Sequence, residues 1–206
     1  MEFYVIFKSK FLLEQTMRKS ILKIYGVISL MLIADLAAYY FYKIGLNGYY
    51  SDITLFWLWI FSSIMIVILF WKRIMAKLLL AAMVLVLVLS ILPMALPFYT
   101  LMLSTTSLGL KMDKDLGKNY RAQIVGYSVM GYPVLQVTER KGIFEKQIFQ
   151  CNDNQLLNDD PNVKIRDAKD IILDHQTQDT LTLTLRYGIR NKSFTFDKKT
   201  GNIVKR

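Results

Sequence analysis

Three long apolar runs dominate the first half of the chain, at residues 24–42, 53–71 and 78–103, and almost nothing charged interrupts them. A helix rises ~1.5 Å per residue and the hydrocarbon core of a bilayer is ~30 Å thick, so about 20 apolar residues cross it. Each run meets that length. The pattern predicts three transmembrane helices, over about 24–42, 53–71 and 78–98, in a membrane domain covering 24–103. At ~1.5 Å per residue the third run measures ~39 Å, more than the hydrocarbon core requires. Pro93 and Pro97 punctuate it. Each removes a backbone donor and disturbs the preceding turn, so a kink or an end is expected there, with residues 98–110 as a bent exit segment. A gating hinge is the sharper alternative.

Beyond residue 118 the pattern changes from continuous apolar runs to alternation. Leu181, Leu183, Leu185 and Tyr187 point one way, with Thr182, Thr184 and Arg186 the other. Phe194 and Phe196 repeat this against Ser193, Thr195 and Asp197. A period of two marks strands with one buried face, the habit of antiparallel sheets. Turn residues separate them at Arg140-Lys141-Gly142, at 188–191 and at Lys199-Thr200-Gly201-Asn202. The predicted strands are 120–125, 133–139, 143–150, 163–166, 169–174, 181–187, 192–197 and 202–205. The fold class is therefore an α+β membrane protein, with three transmembrane helices followed by a small antiparallel β-rich extracytoplasmic domain. That domain, over 119–206, is a meander, a sandwich or a half-open barrel. Residues 104–118 are a linker, and residues 1–23 are a cytoplasmic N-terminal segment.

Composition sharpens this division. A chain of 206 residues with 53% hydrophobic residues and a mean hydropathy of +0.31 is too apolar for an ordinary soluble domain. The net charge of +10 raises nucleic-acid binding, which requires basic residues gathered on a soluble face. Here residues 104–206 hold 17 Lys and Arg against 12 Asp and Glu, and the remaining excess clusters at the edges of the apolar runs. No nucleic-acid partner is expected.

Loop charge sets orientation. Lys8, Lys10, Arg18, Lys19 and Lys23 precede the first run, and Lys72, Arg73 and Lys77 lie between the second and third. Only Lys43 lies between the first and second. Short loops rich in Lys and Arg stay cytoplasmic, so the N-terminus is expected inside. Three spans then carry the C-terminal domain outside, across the cytoplasmic or inner membrane of a multi-pass protein. The first span is expected to be an uncleaved anchor. Its apolar stretch exceeds a signal core, and Asp35 stands where a cleavage site at Ala37-Ala38 needs a small residue. Residues 3–7 are apolar without a clean helical face, and Met17-Arg18-Lys19 alone suffices to begin a normal anchor. Tyr39, Tyr40, Phe41, Tyr42, Tyr49, Tyr50, Trp57, Trp59 and Trp71 sit near run ends, where amphipathic rings form interfacial belts.

Asp35 is the one charged residue inside the apolar runs. Counted from the middle of each span, Ser62, Ser63 and Ser90 fall at similar depth, so an intramembrane polar layer of one carboxyl and three hydroxyls is expected. A charged Asp there costs ~2.5–3.5 kcal/mol on insertion scales, so it should face the bundle or stay protonated. Ala34 and Ala38 beside it let a neighbouring helix approach closely. Such a group serves a proton or cation relay or meets a partner's basic residue. In the structural reading it hydrogen-bonds Ser90 or a carbonyl and holds the helices together.

Other chemistry is sparse. Cys151 is the only cysteine, so no intramolecular disulfide forms, and it reads as a small buried residue. His175, the only histidine, sits in a polar turn, and nothing brings it to Cys151 as a dyad oriented by Asp174. Asn152-Asp153-Asn154 and Asn158-Asp159-Asp160 invite calcium but lack the central glycine and closing glutamate of an EF-hand, so they read as capping and turn residues around Pro161. There is no glycine-rich phosphate loop, zinc spacing or serine elbow. Residues 196–203 are similar to the closing hairpin of many extracytoplasmic β-domains, the PepSY type among them, a likeness that implies a turn geometry and no family. Neither catalytic residues nor a metal or cofactor are expected. The expected function is a non-enzymatic binding, assembly or scaffold component whose partners are the lipid bilayer and a second protein or another copy. The alternative is a subunit of a proton- or ion-coupled transport complex using Asp35.

Overall fold

The computed structural model describes residues 2–91, 96–117, 119–128, 131–157, 164–188 and 191–204, with the side chains of 2–15, 154 and 157 excepted. Helix α1 (Glu2–Tyr42) is 41 residues long, so it also takes in the segment where the sequence offers no helical face. α2 (Tyr49–Leu69) begins before the second apolar run, after Gly48, whose φ of 99° lies in the region that favours glycine. α3 (Ile74–Ile91) and α4 (Leu96–Ser104) divide the third run. Pro93 lies outside the described residues. Pro97 is the second described residue of α4, and the expected bent exit segment is helical over residues 98–104.

Three of these helices are long and apolar enough to cross a membrane: residues 16–42 of α1, α2 and α3. The protein hardly covers them. Of their most apolar windows it buries 0%, 22% and 6% respectively.

The remaining elements form two antiparallel sheets. The first has the order β1 (Ile44–Leu46), β5 (Phe144–Asn152), β4 (Val134–Lys141), β3 (Tyr120–Val125), β2 (Leu110–Gly117). The second is the meander β6 (Asp170–Gln176), β7 (Thr180–Arg186), β8 (Asn191–Asp197). Their inner faces meet in one core. Ala122, Leu135, Val137 and Phe149 come from one side, with Leu181, Leu183, Leu185 and Phe196 from the other. The rings of Phe149 and Phe196 stack at 3.8 Å. The alternation read in residues 181–197 is the inner face of this sandwich.

Four sequence expectations change. The linker at 104–118 contains β2, whose Met112 and Leu116 pack on the core. The connection between α1 and α2 supplies β1, three residues long and too short to show a period. In place of a strand at 163–166 there is a 3-10 turn, Ile165–Asp167, pinned where the Ile165 amide donates to Asp153 Oδ1 at 2.7 Å. Residue 163 is outside the described residues. Of the strand at 202–205 only a bridge from Ile203 to Phe196 forms among the described residues.

A second 3-10 turn, Ser107–Gly109, carries the chain from α4 into β2. There the Gly126 amide donates to the Gly109 carbonyl at 2.8 Å. A Cβ on Gly109 would lie 2.7 Å from the Gly126 oxygen and 2.8 Å from the Leu103 oxygen, both backbone atoms that cannot swing aside. Gly109→Ala is therefore expected to cost ~1–3 kcal/mol, the usual range for overpacking. Thermal unfolding of the purified chain in detergent checks this, and an unchanged midpoint contradicts it.

Candidate functional site

The alternation of β3, β4 and β5 gives the first sheet a second face, opposite the core, carrying Arg121, Gln123, Gln136, Thr138, Glu145, Gln147 and Gln150. A register shift between Val137 and Thr138 keeps these polar residues in phase on β5, because Ile148 is left unpaired. Polar residues on the outer face of a half-buried sheet ordinarily meet water. Here the ends of α1 and α2 and their connection cover them. Glu145 is 4% exposed, Arg121 6% and Gln123 7%.

Buried polar groups are costly unless satisfied, and most of these are. Arg121 Nη2 donates to Glu145 Oε2 at 2.7 Å, and Thr138 Oγ1 donates to the same oxygen at 3.2 Å. Glu145 Oε1 accepts from the Gly48 amide at 3.1 Å, tying the sheet to the connection that starts α2. A chain of amides runs across the strands. Gln123 Nε2 donates to Gln136 Oε1 at 3.0 Å, and Gln136 Nε2 donates to Gln150 Oε1 at 3.2 Å. Tyr127 also donates to Gln136 Oε1, at 3.1 Å, and burial pushes its phenol up to about 12. Three atoms buried on this face have no hydrogen-bond partner among the described residues: Arg121 Nε, Gln123 Oε1 and Arg140 Nε, the last standing 3.5 Å from Glu145 Oε1.

Between this face and the helix ends lies a cleft of about 250 Å³. Its walls include Asp35, Leu36 and Tyr39 of α1, Tyr49, Asp52 and Ile53 of α2, Lys43 and Gly45 of the connection, and Arg121, Gln123, Gln136 and Glu145 of the sheet. Asp52 Oδ1 accepts from the Leu46 amide at 3.1 Å, and Asp52 occupies the first turn of α2, where the helix dipole favours a negative charge. The Lys43 ammonium stands over the Tyr39 ring, 5.1 Å from its centroid.

The polar layer expected from helix depth is not assembled. Asp35 opens on this cleft, whereas Ser63, fully buried, donates to its own helix at Trp59 O and lies within hydrogen-bond distance of Tyr25 Oη, at 3.2 Å. Ser62 also returns to Trp59 O, and Ser90 to Leu87 O. Short hydroxyl side chains readily satisfy themselves on the preceding turn, so equal depth does not make them neighbours. Two belt tryptophans also act as donors, Trp59 Nε1 to Ser29 Oγ at 3.1 Å and Trp57 Nε1 to Thr105 O at 2.8 Å.

Elsewhere Cys151 is buried in the sandwich core, where burial pushes its thiol up to about 12. His175 lies exposed on strand β6 and not in a turn. Asn152 and Gln155 cap α5 (Asp153–Leu157) reciprocally, each side chain accepting from the other's amide at 3.1 Å. Residues 158–163 are outside the described residues. No group of three or more metal-ligating side chains occurs among the described residues.

Residues 121, 123, 136, 138 and 145 fall within the strands expected at 120–125, 133–139 and 143–150, but nothing local marks their side of the sheet as covered. No family model, no curated protein and no solved structure matches this chain.

Proposed function

We propose that this is an integral membrane binding protein. Three helices cross the bilayer with the N-terminus inside, and the β-sandwich stands outside. A ligand or partner is held where the polar sheet face meets the outer ends of α1 and α2. Support for lipid as the solvent of the helices comes from apolar windows that the protein leaves almost entirely uncovered. The observation that carries the binding reading is the buried polar face itself. Folding alone is served as well or better by apolar residues against the helix ends, because a buried ion pair seldom repays its desolvation. On the non-enzymatic reading the Cys151 thiol is a packing group, buried in the sandwich core away from the cleft. A transport role retains one argument, the Asp35 carboxylate facing the cleft without an ion pair or hydrogen bond among the described residues. Asp35→Asn with unchanged ion flux, growth and partner recovery removes that role.

Two measurements test the main reading. Because Cys151 is buried, Gln178→Cys on the exposed β6–β7 turn provides a single reactive thiol, expected to take a membrane-impermeant maleimide in intact cells. Labelling only after lysis reverses the orientation. A photo-cross-linking residue at Gln147, in the cleft wall, is expected to capture a lipid, small molecule or protein, and the same residue at His175 is not. Capture at 175 alone, or at neither position, overturns the binding site.

A further inference from the structure

Part of the hydrogen-bonding capacity of the cleft is left unused by the protein. Arg121 is committed to Glu145 at 2.7 Å and stands 3.7 Å from Asp113. Both Glu145 oxygens accept bonds from the protein. Left over on the walls are the Asp35 carboxylate and Asp52 Oδ2, which make no hydrogen bond or ion pair among the described residues. Asp35 and Asp52 lie within electrostatic reach of each other. Two acidic residues alone prove nothing. The independent observation is Gln123, 7% exposed and lining the same cleft, whose Oε1 is buried without a partner. A buried acceptor left unpaired costs ~1–3 kcal/mol, and a bound donor relieves it. On the donor side Arg121, whose Nε has no partner, also lines the cleft but is paired with Glu145, and Lys43 stands at its edge over the Tyr39 ring.

Acceptors without a protein donor, two of them carboxyl groups side by side, fit a ligand that is cationic and rich in N–H donors. Tyr39, Tyr49 and Tyr127 line the same space, and aromatic faces also attract a cation. Resting on the binding reading above, we propose that the cleft holds a primary ammonium group between Asp35, Asp52 and the Gln123 carbonyl. A primary ammonium donates three hydrogen bonds, and a quaternary one donates none. The helical part of the lining comes from the last turns of α1 and the first turn of α2, at the headgroup level of the proposed membrane. The ammonium group therefore arrives either on a lipid headgroup or on a free amine in water.

Native mass spectrometry of the full chain, released from nanodiscs of mixed ethanolamine and choline phospholipids, tests this. Preferential retention of the ethanolamine lipid by about tenfold is expected, the equivalent of ~1.4 kcal/mol. Asp35→Asn and Asp52→Asn should each reduce that preference severalfold. Asp35→Asn is the safer variant, since the described residues give its carboxylate no bond to lose. In a second arm, ethanolamine is titrated against the chain in choline-only nanodiscs. Saturable binding there without a lipid preference assigns the amine to a soluble source and still supports the proposal. Equal retention of both lipids with no ethanolamine binding overturns it, as does a preference that neither variant changes. If amines fail while residue 147 still captures a partner, the ammonium inference falls and the binding reading stands. If both fail, both fall.

Discussion

Glu145→Leu is expected to destabilise the protein by ~3–5 kcal/mol, because it takes from the buried Arg121 guanidinium its hydrogen-bonded counter-charge and leaves only Asp113, 3.7 Å away. Arg121→Met should cost somewhat less, because Arg140 Nε, 3.5 Å from Glu145 Oε1, still faces the carboxylate. Changing both together should lie much closer to the parent, since two apolar side chains of similar bulk restore packing with no stranded charge. The single and double variants form a cycle whose interaction energy isolates the pair. Thermal unfolding in detergent reads it. If either single change costs under ~1 kcal/mol, the typical value of an exposed ion pair, water reaches the site and the cleft is not the closed polar interior described here. A second readout locates the damage. Glu145 accepts from the Gly48 amide, so its loss should loosen β1 and expose the α1–α2 connection to protease before the sandwich unfolds.

Phe196→Ala should cost ~3–5 kcal/mol by a different route. The side chain is fully buried and stacked on Phe149, and the change removes most of a ring from the centre of a two-sheet core. Phe196→Leu, which refills much of the volume, is expected to cost markedly less. The damage should stay in the sandwich. Extraction of the chain from membranes by alkaline carbonate should be unaltered, while near-ultraviolet circular dichroism loses its aromatic signal at a lower temperature. Equal midpoints for Phe196→Ala and the parent mean that the two sheets do not share the core seen here.

The helices and most strands were readable for simple reasons. A bilayer-length apolar run needs no partner to identify it, and alternation as regular as Leu181-Thr182-Leu183-Thr184-Leu185 has one strand solution with a buried face. What failed were elements without a local period. β1 spans three residues and exists only because β5 offers an edge to pair with. β2 carries Lys111, Asp113, Lys114 and Asp115 among few apolar residues, so its composition resembles a linker. Pro93 and Pro97 were expected at a kink or a helix end, and Pro97 lies within α4 while Pro93 is outside the described residues.

Asp35 shows the same limit at the candidate site. Its position along the first apolar run pointed to a polar layer with Ser62, Ser63 and Ser90, an argument from depth alone. Depth leaves rotation about each helix axis free, and rotation decides which side chains meet. Asp35 turns toward Asp52 and the sheet, while the serines bond within or between helices elsewhere.

By itself the sequence determined the apolar spans, the strand-rich second half and the inner face of the sandwich, because lipid-length hydrophobicity and period-two burial are local properties of a chain. Only the tertiary structure decided that the other face of the first sheet is buried, and that Arg121, Glu145 and Gln123 meet Asp35 and Asp52 in one cleft. The sequence writes a polar strand face the same way whether water or a helix end lies over it. Which one does depends on contacts between residues as much as a hundred positions apart, such as Gly48 with Glu145.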